Sequence, residues 1–127
     1  VDRNETDWRI FSAVLFGRHI ALAGVDREFH ADFCALVEVA DDPTQDVAGQ
    51  VTQILAQIDQ RLSLVGSDRT RLLQVLIYLS DLNDIGTLNA LWDEWVPMGR
   101  APSRACVQAV IAKGYRVEMV ITAAVAS

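Results

Sequence analysis

Arg104 stands in the middle of the apolar run APSRACVQAV (101–110), and Glu118 follows fourteen positions later in YRVEMVITAA (115–124). A guanidinium beside apolar neighbours is costly to desolvate unless an anion or a hydrogen-bond acceptor meets it, so Arg104 requires a partner. Two readings fit: a structural ion pair with Glu118 that closes a subunit contact, or a site at which the charge meets a ligand. Strand alternation puts Arg104, Cys106 and Gln108 on one face, and Glu118, Val120 and Thr122 on one face of the next strand. Whether the two faces coincide depends on the intervening turn. A two-residue loop at Lys113 and Gly114 sets Glu118 opposite the face of Arg104, whereas a three-residue or bulged turn brings them to the same side.

Other reactive side chains carry less. Cys106 has no histidine near it in sequence to serve as a base and reads as a small buried residue. His30, Asp32 and Cys34 fall short of any standard zinc spacing, so a solvated loop is the simpler reading, and His19 reads as a hydrogen-bonded structural residue. Trp92 and Trp95 fit an apolar helical stripe, which makes them core or subunit contact before a stacking platform. The phosphate-binding, dinucleotide, nucleophile-elbow and zinc-protease signatures do not occur.

The elements that position these residues follow from periodicity. IFSAVL (10–15) and HIALA (19–23) read as an opening hairpin turning at Gly17, and the stretch from Asp26 to Asp46 as a long loop, with or without an extra strand at LVEV. Asp42, Pro43 and Gln45 form a helix-start signal. Val47, Val51, Ile54, Leu55, Ile58, Leu62 and Val65 then share one helical face, with Gly66 as the stop. Gln53, Gln57, Gln60 and Arg61 lie on the other. LLQVLIYL (72–79) suits a central strand buried on both faces. Ile85, Leu88, Trp92, Trp95 and Val96 define a second helix ending before Pro97, and RACVQAVIA and RVEMVITAA read as a closing hairpin. This order predicts a single α+β domain with both helices on one face of a mixed sheet.

Composition narrows the function classes. The 127 residues, about half hydrophobic, suffice for a core without disulfide or metal staples. A net charge of −6 with scattered basic residues disfavours nonspecific binding to nucleic acid. No apolar run reaches the ~20 residues of a membrane span. The start VDRNETDW lacks signal-peptide order and the two cysteines are far apart, so a cytoplasmic protein is expected.

In combination, several segments resemble the YjgF family, also called Rid for reactive intermediate deaminase. VLIYLSDLNDIGTLNALWDEWV (75–96) resembles its strand-then-helix segment with the helix asparagine at Asn89, and APSRACVQ and YRVEMVITAA resemble its closing strands with the arginine and glutamate at Arg104 and Glu118. IALAGV (20–25) is similar to its glycine segment, with Gly24 retained, so the likeness extends over nearly the whole chain apart from residues 26–46. The resemblance implies a chorismate-mutase-like α+β subunit, a homotrimer with clefts between neighbours, and hydrolysis of small 2-imino or 2-enamino acids to 2-oxo acids and ammonia. It further implies Arg104 as carboxylate anchor, Glu118 as water-orienting acid/base, substrate contacts at Gly24, Asn89 and Cys106, and no metal or organic cofactor. A trimer that binds a small carboxylate without turnover is the alternative; RNA cleavage ranks below both because the chain is acidic.

Overall fold

The computed structural model describes residues 33–125. Along the chain run strand β1 (Phe33–Val39), helix α1 (Val47–Leu64), strand β2 (Leu72–Leu79), helix α2 (Ile85–Trp95), strand β3 (Ser103–Gln108) and strand β4 (Val117–Ala124). The expected hairpin at 10–23 and the glycine segment at 20–25 lie outside the described residues. Among those described, no helix is long and apolar enough to cross a membrane.

The four strands form one sheet in the order β1-β4-β2-β3. β4 is antiparallel to both β1 and β2, and β3 is parallel to β2, so β1, β2 and β3 all run in one direction. The chain steps across the sheet the same way twice, from β1 through α1 to β2 and from β2 through α2 to β3. Crossovers of one hand then deliver both helices to one face, as expected for the α+β arrangement. The helices and that face share a core that includes Leu36, Ile54, Ile58, Ile77, Leu88, Met119 and Ile121.

The closing hairpin is not formed, because β2 lies between β3 and β4. Beside β3, β4 would pair along one edge only; in the slot between β1 and β2 it pairs along both and buries Val117, Met119, Ile121 and Ala123. Gly114 does make a turn, at φ +92°, with Tyr115 N–H donating to Ala112 C=O at 3.0 Å. That turn carries the chain past the end of β2, held by Ala109 N–H to Leu79 C=O at 2.9 Å and Ser80 N–H to Arg116 C=O at 3.0 Å. β3 accordingly stops at Gln108, short of the expected Ala112.

Three further expectations are corrected. The stretch 26–46 contains β1, so of the two readings left open the one with a strand at LVEV holds, and Cys34 is buried in that strand rather than part of a solvated loop. β2 is buried only toward the helices, and Leu73 is the extra residue of a bulge between Leu72 and Gln74. The cap of α1 is Asp46, whose carboxylate accepts from Gly49 N–H at 2.8 Å. Asp42 instead organises the preceding turn, accepting from Thr44 N–H at 3.0 Å and the Thr44 hydroxyl at 2.6 Å. Gly66 does end the helix, at φ +75°, with Ser67 N–H donating back to Leu62 C=O at 2.9 Å.

The glutamines of α1 tie the connections to the sheet. Fully buried Gln50 donates to the carbonyls of Pro43, Gln45 and Gly114 at 3.1, 3.0 and 3.2 Å and accepts from Arg116 N–H at 2.8 Å. It thereby joins the first turn of α1 to the entry of β4. Gln57 donates to Glu38 and to Val39 C=O at 2.8 and 2.9 Å, while Arg61 Nε lies 3.0 Å from the same glutamate.

Two predictions follow from this burial. Gln50→Leu leaves the Arg116 N–H and the Gly114 carbonyl unpaired and lowers the urea unfolding free energy by roughly 2–4 kcal/mol; an unchanged midpoint refutes the tie. Desolvation of Glu38 raises its pKa above the ordinary 4.5, outweighing the Gln57 hydrogen bond and the Arg61 charge. A raised acid pKa gives stability that is complete below the unfolded value and is lost as pH rises through the folded one. Glu38→Gln therefore gains on the parent in urea melts as pH rises above the ordinary 4.5, and a constant difference between the two proteins contradicts this.

Candidate functional site

Arg104 pairs with Val75 across the β2–β3 ladder, and Val75 faces the helices. In a sheet interior such a position is filled by aliphatic side chains. β3, however, is an outer strand of the four described, where α2 covers the helix-facing row only in part. Arg104 reaches across to α2, and its Nη2 donates to Asn89 Oδ1 at 2.7 Å. Its guanidinium carbon sits 5.4 Å from the ring centroid of Trp92, within the range of a cation–π contact. Asn89 and Trp92 are three residues apart on one helix and so present adjacent side chains to the same group.

The partners of the other half-buried arginines give this arrangement its meaning. Arg61 is paired with Glu38, and Arg69 binds Asp59 through Nε and Nη2. Arg104 meets an amide and an indole face, with no carboxylate among the described residues. The neutral acceptor and the ring orient it without cancelling its charge, and most of its five N–H donors have no partner among the described residues.

Cys106 lies two residues along β3 on the same face and packs partly against the core. Burial raises its pKa, with the charge of Arg104 pulling the other way, so the thiol is protonated near neutral pH. That suits a small wall residue and not a thiolate nucleophile. Gln108, the third residue of this row, accepts from Leu82 N–H at 2.7 Å and holds the segment that leads into α2.

Glu118 is elsewhere. It pairs with Val39 on one side and Tyr78 on the other, both on the face turned away from the helices. Arg104 and Glu118 therefore lie on opposite faces of one sheet with β2 between their strands, and the ion pair between them is not made within one subunit. The face of Glu118 is lined by Val37, Val39, Leu76, Tyr78, Ala105, Val107 and Val120 and has no helix on it among the described residues. Arg104, Asn89 and Cys106 come together; Glu118 does not join them, and Gly24 lies outside the described residues. Trp92, expected as core or subunit contact, is 95% buried in the core and also has the Arg104 guanidinium over its ring. Its three-residue spacing from Asn89 was the available signal.

The α+β fold, with Arg104 on an outer strand of the four described, has clear relatives. The family described as Endoribonuclease L-PSP matches residues 35–125, and the chain belongs to this family, which is the YjgF/Rid family. The match begins beyond residues 20–25, so the likeness drawn for that segment is not part of it. The chain is 41% identical over 88 residues to the RutC family protein YoaB of Escherichia coli K12, covering 68% of this chain and 77% of that one. A crystal structure of a YjgF family member from Neisseria meningitidis superimposes with a TM-score of 0.72 at 39% identity, covering 76% of this chain and 82% of the other. A rat protein named 2-iminobutanoate/2-iminopropanoate deaminase is 34% identical over 74 residues, covering 58% of this chain and 53% of its own length.

If Arg104 carries an uncompensated charge, Asn89→Asp supplies the missing carboxylate at hydrogen-bonding distance. The variant is expected to gain about 1 kcal/mol in urea unfolding at pH 7. A loss of stability would mean that another group already neutralises Arg104.

Proposed function

We propose that the chain is a hydrolytic deaminase of small 2-imino or 2-enamino acids that works as a homotrimer. The observation that carries this reading is the arginine clamped by Asn89 and Trp92 without a carboxylate of its own among the described residues. A planar guanidinium in that state suits a ligand carboxylate, which it can meet with two parallel charge-assisted hydrogen bonds. The name of the rat relative supports an imine as the group beside that carboxylate.

The opposite-face placement of Glu118 makes the assembly part of the chemistry. The apolar face around Glu118 would pack against other copies, and the Glu118 of one copy would approach the Arg104 of its neighbour to complete a cleft. There Glu118 takes a proton from a water molecule as its oxygen bonds to the C=N carbon, and the nitrogen gains a proton. The resulting carbinolamine then loses ammonia as the C=O bond forms. No oxidation state changes, so positioning and proton transfer suffice. Asn89 would act mainly through Arg104, and Cys106 would border the ligand.

The separation of Arg104 from Glu118 within a subunit also favours a second reading, a trimer that binds a small carboxylate without turnover. RNA cleavage, which the family description names, fits poorly with a net charge of −6.

The test is ammonia release from imines generated in situ by an amino-acid oxidase. Arg104→Ala is expected to lower kcat/KM about 100-fold or more, and Glu118→Gln to lower kcat by about 100-fold or more with KM little changed. Because each cleft draws on two copies, equal co-expression of the two variants should restore about a quarter of the clefts. Arg104→Ala reacting as fast as the parent refutes the mechanism, failure of the mixture to recover activity refutes the shared cleft, and carboxylate binding without turnover favours the second reading.

A further inference from the structure

We propose that Trp92 is a positioning residue for the Arg104 anchor, a role that rests on the carboxylate-binding reading above. The molecule contains a closed version of the same arrangement one helical turn away. At Arg69 the guanidinium carbon lies 4.8 Å from the centroid of the Trp95 ring. Asp59 engages its edge, with Nε to Oδ1 at 3.0 Å and Nη2 to Oδ2, and Nη1 donates to Trp95 C=O at 2.8 Å. There the chain itself supplies the three parts: an indole under the guanidinium face, a carbonyl on one nitrogen, and a carboxylate on the edge. At Arg104 two of the parts recur, with the guanidinium carbon over the Trp92 ring at 5.4 Å from its centroid and the Asn89 carbonyl at 2.7 Å on Nη2. The carboxylate is missing among the described residues, and a ligand carboxylate takes the place that Asp59 holds at Arg69.

The indole is suited to this work because it is packed into the core. Trp92 is 5% exposed, and its ring lies 5.5 Å from that of Trp95 at an interplanar angle of 45°. An arginine side chain has several rotatable bonds, and ordering them on binding costs affinity. One hydrogen bond to Asn89 fixes a point of the guanidinium and leaves it free to pivot; the contact with the ring face supplies a second point and restricts the pivot. The anchor is thus ordered before the ligand arrives.

The experiment compares pyruvate with its neutral amide, pyruvamide, by calorimetry on the full chain. The parent should favour pyruvate, and Arg104→Ala should lose that preference. Trp92→Leu should weaken pyruvate by about two- to thirty-fold while leaving pyruvamide unchanged, and Trp92→Phe should lie between. A general loosening of the core would weaken both ligands alike, which overturns the positioning role. Should Trp92→Leu fail to fold, fluorinated tryptophans placed at position 92 keep the shape, and pyruvate affinity should fall stepwise with fluorination. Parent-like pyruvate preference in the Trp92 variants, with Arg104→Ala impaired, overturns this inference and leaves the anchor standing. No pyruvate binding by the parent, or unchanged binding by Arg104→Ala, overturns the anchor and this inference together.

Discussion

The slot between β1 and β2 governs the rest of the molecule. A crossover that leaves one strand position empty creates two facing rows of unpaired backbone groups, which are expensive to bury. The last strand fills that position and satisfies both. Its entry is held by Gln50, which binds the carbonyl of Gly114 and the N–H of Arg116 from within the first turn of α1. Once β4 is fixed there, its alternation is fixed too: Met119 and Ile121 enter the core and Glu118 is turned to the far face. The position of the glutamate is therefore a consequence of core packing, set before any ligand is considered.

The arginine follows from the other end of the same sheet. β3 is an outer strand of the four described, so its helix-facing row meets α2 and not the middle of the core. A long cationic side chain is tolerable there because its head reaches past the strand to the helix. What α2 offers the head is an amide and an aromatic ring. Arg61 and Arg69, by contrast, each receive a carboxylate. Among the described residues, two half-buried arginines are neutralised and the third is only oriented, and this difference is what supports the proposed binding role of Arg104.

Most elements were legible because their signals are local. The three- and four-residue spacing of α1 and α2, the apolar run of β2 and the glycine stop at Gly66 each depend on a few neighbouring residues. Strand pairing is different. Nothing in Lys113, Gly114 and Tyr115 distinguishes a turn that closes a hairpin from one that carries the chain past a neighbouring strand; that choice is made by the slot, which earlier elements create. The cap of α1 shifted from Asp42 to Asp46 for a related reason, since both carboxylates bind nearby N–H groups and only Asp46 directly adjoins the helix. Within the site, the grouping of Arg104 with Cys106 was readable from alternation. The clamp by Asn89 and Trp92 was readable only in half: their three-residue spacing sets them side by side on one helix, but the contact with Arg104 joins a strand to that helix, and its packing follows from the handedness of the crossover.

The central claim is that Arg104 is an anchor ordered in advance for a carboxylate, completed by Glu118 of another copy. A crystal structure of the full chain with a bound 2-oxo acid tests this most directly. The account predicts the ligand carboxylate on the edge of the Arg104 guanidinium, with the Asn89 and Trp92 contacts retained and the Glu118 of a neighbouring copy close enough to hold a water against the 2-carbon. A ligand bound away from Arg104, or an assembly in which every Glu118 stays remote from every Arg104, would contradict it.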